Sequence, residues 1–89
     1  MSAWYVYILR CGDGSLYTGI TNDLVRRLER HSAGTAAKYT RGRQPVILAW
    51  KRRMKSATLA RKTEVVIKKL TRFQKIDLLS GKKVYFTKV

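Results

Sequence analysis

Five side chains of this 89-residue chain have the types and the order that phosphate chemistry needs. Tyr7 closes the segment Tyr5-Val6-Tyr7, and Tyr17 opens Tyr17-Thr18-Gly19. Arg27 and His31 follow one helical turn apart, and a single carboxylate, Glu64, comes later among many cations. Phosphodiester hydrolysis requires an activated water, positive charge against the phosphoryl oxygens, and help for the leaving oxygen. Arg27 can clamp a phosphate through two parallel N–H bonds, which a lysine cannot do in the same geometry. Glu64 can hold one Mg²⁺ or Mn²⁺ whose other ligands are water and phosphate, and the region has too few acids for two metals. A tyrosine acts as a base only if its pKa of about 10 is lowered, which a nearby cation does. His31 is the residue to receive or relay that proton near neutral pH. The residues alone do not choose between Tyr7 and Tyr17 as the base.

These side chains must be positioned by short elements. Trp4 to Arg10 is β-branched and aromatic and predicts a largely buried strand. Asp13-Gly14 then marks a hairpin turn, with Leu16 to Ile20 as the returning strand. Thr21-Asn22-Asp23 offers N-cap chemistry for a helix from about Asp23 to Ser32, ended by Gly34. Leu24 and Leu28 define its buried face; at 100° per residue Arg27 and His31 flank that face, while Arg26, Glu29 and Arg30 point away. Residues 35–44 are small, polar and basic and read as an exposed loop. Pro45 opens a third strand, Val46 to Lys51, followed by Arg52 and Arg53. Ser56 caps a second helix to about Leu70, with a core stripe of Leu59, Ala60, Thr63, Val66, Ile67 and Leu70 and Glu64 beside it. Thr71 caps a third short helix through Phe73, Ile76 and Leu79, closed by Gly81. Residues 82–89 are a basic tail or an added strand. The order β-β-α-β-α-α predicts an α+β fold: one domain over residues 1–89, core about 3–79, with a small three-stranded antiparallel or mixed sheet flanked by helices.

Twenty Lys and Arg face five acids, giving a formal net charge of +15. Self-repulsion on that scale calls for a polyanionic partner. Lys38, Arg41 and Arg43 in the loop, with Lys51, Arg52 and Arg53, are the candidate nucleic-acid contacts, and Tyr39 is placed to stack on an unpaired base. Lys68, Lys69, Arg72 and Lys75 form either a second patch or a solvated face. No base-reading helix or repeat is visible, which points to recognition of structure or backbone. One cysteine, Cys11, excludes an intramolecular disulfide, and one His with one Cys cannot build a structural zinc site. The apolar run from Ala3 to Leu9 is too short for a signal peptide or a membrane span, and no helix joins a broad apolar face to a basic one. The chain therefore reads as a cytoplasmic protein with no membrane partner.

Each of these residues also has a plainer reading. The tyrosines are ordinary strand aromatics in many sheets, Arg27 belongs to a solvated basic face, and lone helical histidines are more often structural. Glu64 has an i,i+4 partner in Lys68. Gly19 suits a close approach at a strand end under either reading.

Taken in order, the segments resemble the GIY-YIG nuclease superfamily. Tyr5-Val6-Tyr7 stands for its first tripeptide and Tyr17-Thr18-Gly19 for its second, separated by a hairpin of the expected length. Arg27 matches the family's helix arginine, His31 its His-or-Tyr partner, and Glu64 its metal-binding glutamate. With the basic Lys-Tyr-Thr-Arg-Gly-Arg loop, the pattern looks like the short stand-alone bacterial (YhbQ-like) group. Tyr5 replaces the family glycine, and the asparagine that many members carry after the glutamate has no counterpart. The resemblance implies a metal-dependent DNA endonuclease of repair or processing, acting on branched or single-stranded DNA, with RNA left open. Its catalytic residues would be Tyr7, Tyr17, Arg27, His31 and Glu64, and its cofactor one divalent cation, Mg or Mn, at Glu64. The alternatives are a non-catalytic nucleic-acid-binding module on the same fold, and an interaction domain docking on a larger repair complex.

Overall fold

In the computed structural model, which describes residues 3–81, Trp4–Arg10 forms the central strand, β1, of a three-stranded sheet. Leu16–Thr21 (β2) pairs antiparallel on one side and Ile47–Met54 (β3) antiparallel on the other. Central placement explains the unbroken apolar run of β1. Val6, Tyr7, Ile8 and Leu9 are all fully buried, so neither face of the strand can afford a polar alternation. The hairpin forms at Asp13-Gly14, with Gly14 at φ 84° and the Asp13 carboxylate accepting from the Ser15 amide at 3.0 Å.

Directly opposed residues share a face of the sheet. On one face Val6 lies opposite Ile20, and Val6 and Ile8 join Ala60, Ile67 and Leu78 in the core. Ala60 and Ile67 come from α2 (Ala57–Lys69) and Leu78 from α3 (Arg72–Leu79). On the other face Tyr7 lies opposite Gly19 and Leu9 opposite Tyr17. There Tyr7 meets His31 of α1 (Leu24–Ser32). The expected caps are present. Asp23 accepts from the Arg26 amide at 3.2 Å, Ser56 from Leu59 at 3.2 Å, and Thr71 with Gln74 forms a reciprocal capping box.

Four expectations need correction. β3 does not stop at Lys51 but runs through Arg52 and Arg53 to Met54, because β1 still offers Trp4 and Tyr5 as partners. Leu59 is not core but 45% exposed, since the α2 face that meets the sheet centres on Ala60 and Ile67. His31 does not flank the buried stripe of α1. It lies on it, seven residues after Leu24, and is 0% exposed. Residues 35–44 are not simply an exposed loop either. Thr40 is fully buried, and the Gly12 amide bonds the Arg43 carbonyl at 2.7 Å while Arg43 Nε pairs with Asp13 at 3.0 Å. The tail, 82–89, lies outside the described residues, among which no helix is long and apolar enough to cross a membrane.

Candidate active site

The site is built around the Tyr7 ring, which crosses the β1–β2 ladder above Gly19. A Cβ at position 19 would lie 2.6 Å from the Tyr7 hydroxyl oxygen and 2.7 Å from Cζ, so no larger residue fits without displacing that ring. The hydroxyl reaches Nε2 of His31 at 2.8 Å, and Nδ1 of the same imidazole meets Thr40 Oγ1 at 2.8 Å. Thr40 gives its own proton to the Ala37 carbonyl at 3.2 Å. Burial, assisted by the charge of Arg27, pushes the His31 pKa down to about 4, so the ring is neutral and carries one proton. With Thr40 donating to Ala37, Nδ1–H donates to Thr40 and Nε2 accepts from the Tyr7 hydroxyl.

Arg27, one turn before His31, lies against the Tyr7 hydroxyl and, more weakly, Tyr17; both contacts hold its charge. Its Nε is shielded from solvent and has no hydrogen-bond partner. Burial raises the Tyr7 pKa above the usual tyrosine range, outweighing the lowering contact with Arg27, and the charge of Glu64 adds to the rise. The Tyr17 ring stands 5.2 Å from the imidazole, 6.4 Å from Tyr7 and 5.7 Å from Tyr39, on which it stacks.

Glu64 sits on the inward stripe of α2 between Ala60 and Ile67, its side chain only 18% exposed and paired with Lys68 at 3.3 Å. Among the described residues no three His, Cys, Asp or Glu gather around one point. The single Glu64 carboxylate is the kind of donor that a hard cation keeping most of its waters takes.

The basic residues separate by strand pairing. Lys51 opposes Tyr7 and Arg53 opposes Tyr5, so both stand on the tyrosine face. Arg52 opposes Val6 on the other face, its guanidinium 5.3 Å from the Trp50 ring. Lys38 and Arg41 are exposed on the loop. Arg43 is occupied internally: besides Asp13 it donates to the Tyr39 carbonyl at 2.6 Å and lies 4.3 Å over the Tyr39 ring. The fold thus brings Tyr7, Tyr17, Gly19, Arg27 and His31 together, sets Glu64 within electrostatic reach, and leaves Arg52 on the opposite face. Sequence reasoning missed Thr40. It lies in an aperiodic loop nine residues after His31, where no hydrophobic pattern reports that a hydroxyl turns inward.

The family model described as the GIY-YIG catalytic domain matches residues 3–77. A UPF0213 protein of Clostridium perfringens is 51% identical over 80 residues, covering 90% of this chain and 86% of that protein. A UPF0213 protein of Streptococcus sanguinis is 50% identical over 72 residues, covering 81% and 83%. Among solved structures, the solution structure of the UPF0213 protein BH0048 from Bacillus halodurans is 46% identical with a TM-score of 0.59, covering 90% of this chain and 85% of that one. That of the protein EF2693 from E. faecalis is 43% identical with a TM-score of 0.63, covering 91% and 86%. A match over nearly the whole described chain, together with the shared fold, means that the chain belongs to the GIY-YIG family.

Proposed function

We propose that this protein is a metal-dependent DNA endonuclease, directed by strand structure more than by base sequence and serving repair or processing. The observation that carries this reading is the Tyr7 hydroxyl, with a proton acceptor behind it in His31 Nε2 at 2.8 Å and the Arg27 guanidinium beside it. A tyrosine can take a proton from water only if it passes its own onward, and Nε2 is the acceptor within reach. With the His31 pKa near 4, below the neutral range the sequence suggested, that transfer is uphill at rest and needs added positive charge that favours the tyrosinate. This favours Tyr7 over Tyr17 as the residue that activates the water, with Tyr17 lining the same space. Arg27 stabilises charge on the phosphoryl oxygens, an interaction whose loss typically costs about 10²–10³ in rate. A single Mg²⁺ or Mn²⁺ held by Glu64 supplies, when bound, further positive charge at the reacting phosphate. Lys68 gives up Glu64 at little cost, because an i,i+4 pair of this kind is worth only about 0.2–0.5 kcal/mol. Lys51 and Arg53 extend the positive surface from the tyrosines along β3.

The test is cleavage of single-stranded, duplex and branched DNA in Mg²⁺, Mn²⁺ or EDTA, with Arg27→Ala, Glu64→Ala, Tyr7→Phe and Tyr17→Phe run alongside. Metal-dependent cutting is expected, abolished in the first three variants with DNA binding largely kept. Binding without cutting in any metal would replace the nuclease with a binding module on the same fold. A Tyr17→Phe variant more impaired than Tyr7→Phe would reverse the roles of the two tyrosines.

A further inference from the structure

Next to the tyrosine cluster, the start of α1 opens on a cavity of about 260 Å³ lined by Thr21, Asn22, Asp23, Arg26, Arg27 and Arg30. Arg26 and Arg30 are i,i+4 neighbours and Arg27 and Arg30 are i,i+3, so three guanidinium-bearing positions share one side of a single helix. One carboxylate, Asp23, stands among them, and its Oδ1 is used to cap the Arg26 amide. Neither the Arg43–Asp13 nor the Lys68–Glu64 ion pair involves this helix. Like charges this close repel unless an anion lies between them. The cavity is large enough for a phosphate with its sugar. Arg27 belongs both to this cavity and to the tyrosine cluster.

We infer that the cavity is a second phosphate subsite, in which Arg26 and Arg30 hold the backbone phosphate next to the one Arg27 clamps, with Asn22 as a neutral donor at its rim. This rests on the reading of the protein as a nucleic-acid-cutting enzyme, and it fixes where the strand runs: past the start of α1 before reaching Tyr7. The subsite contacts backbone only, so it adds affinity equally for every sequence.

The experiment measures binding of a labelled DNA oligonucleotide in EDTA by fluorescence anisotropy between about 50 and 200 mM NaCl. The double variant Arg26→Gln/Arg30→Gln is compared with a charge-matched control on α2, Arg61→Gln/Lys62→Gln, whose residues are exposed. Loss of one phosphate contact flattens the log–log salt slope by about one, and the Arg26/Arg30 variant should show this while the control does not. Equal slopes in the two variants, with tight binding by the native chain, would overturn the subsite alone. No binding by the native chain would overturn the nucleic-acid reading itself.

Discussion

Thr40→Val tests the hydrogen-bond order around His31 with a nearly isosteric change. The native hydroxyl accepts from His31 Nδ1–H at 2.8 Å and donates to the Ala37 carbonyl at 3.2 Å, in surroundings where both Thr40 and His31 are 0% exposed. Valine removes both functions and leaves a buried donor unsatisfied, at a cost of about 1–3 kcal/mol. A domain of this size loses roughly 4–8 °C in Tm per kcal/mol, so thermal unfolding should begin about 10 °C lower. The ring has one escape. It can move its proton to Nε2 and donate to the Tyr7 oxygen, which removes the acceptor from behind the Tyr7 hydroxyl.

The two consequences separate in the assay. His31 is the chain's one histidine, so a long-range ¹H–¹⁵N spectrum reads its tautomer without assignment work. The native protein should show Nδ1–H, Thr40→Val should show Nε2–H, and Thr40→Ser should keep the native form. Cleavage should fall about 100-fold in Thr40→Val, the lower end for a general-base group, and only a few-fold in Thr40→Ser. A Thr40→Val protein that keeps Nδ1–H, or that cuts at the native rate, would refute the reasoning from the hydrogen-bond order. Destabilisation equal in both variants would reduce Thr40 to a packing residue.

Two further outcomes follow from the same geometry. Gly19→Ala places a methyl 2.6 Å from the Tyr7 hydroxyl, and the ring must move. It should lower stability by about 1–3 kcal/mol in urea unfolding and abolish cutting, whereas a variant cutting normally would show that the Tyr7–His31 bond is dispensable. Stability should also fall with acid. His31 titrates at about 4 when folded against an ordinary 6.5, so the unfolded chain takes up the proton first. The contribution is complete above pH 6.5 and disappears as pH drops towards 4, amounting to about 3 kcal/mol at 1.36 kcal/mol per pH unit. Chemical denaturation at pH 7 and pH 5 should resolve it, and His31→Gln should lose that part of the slope; equal slopes in the two proteins would contradict a buried neutral His31.

What the sequence made legible was local. Asp13-Gly14, Asp23, Ser56 and Thr71 act through bonds within a few residues, and each turn or cap forms where its residues predict. The tyrosines and Arg27 were legible as a constellation because they sit at fixed spacings on regular elements. Partnership across the fold was not. The extent of β3 depends on what β1 offers opposite it, and the inward turn of Thr40 depends on a loop whose Arg43 is pinned by Gly12 and Asp13, distant in the chain. His31 was half legible: its place on the helix was right, but its depth is set by Tyr7 on the sheet and Thr40 on the loop, which close over the ring.

The burial of Tyr7 carries one more consequence for the proposed mechanism. In the structure its oxygen donates to His31 while Arg27 lies against it, and the side chain is 0% exposed. With its hydroxyl engaged on both sides and its pKa raised, Tyr7 at rest is a poor base for water. Arg27 is also the residue assigned to the phosphate. When an arriving phosphate draws the guanidinium towards itself, the Tyr7 oxygen is freed for a water but loses the contact that lowered its pKa. Other positive charge at the phosphate, such as a cation held by Glu64, would have to replace it. The group that recognises the substrate is then the group that uncovers the base. On this reading the enzyme is inert towards water until a strand is seated, which suits a small, highly basic nuclease that must bind many phosphates and cut few.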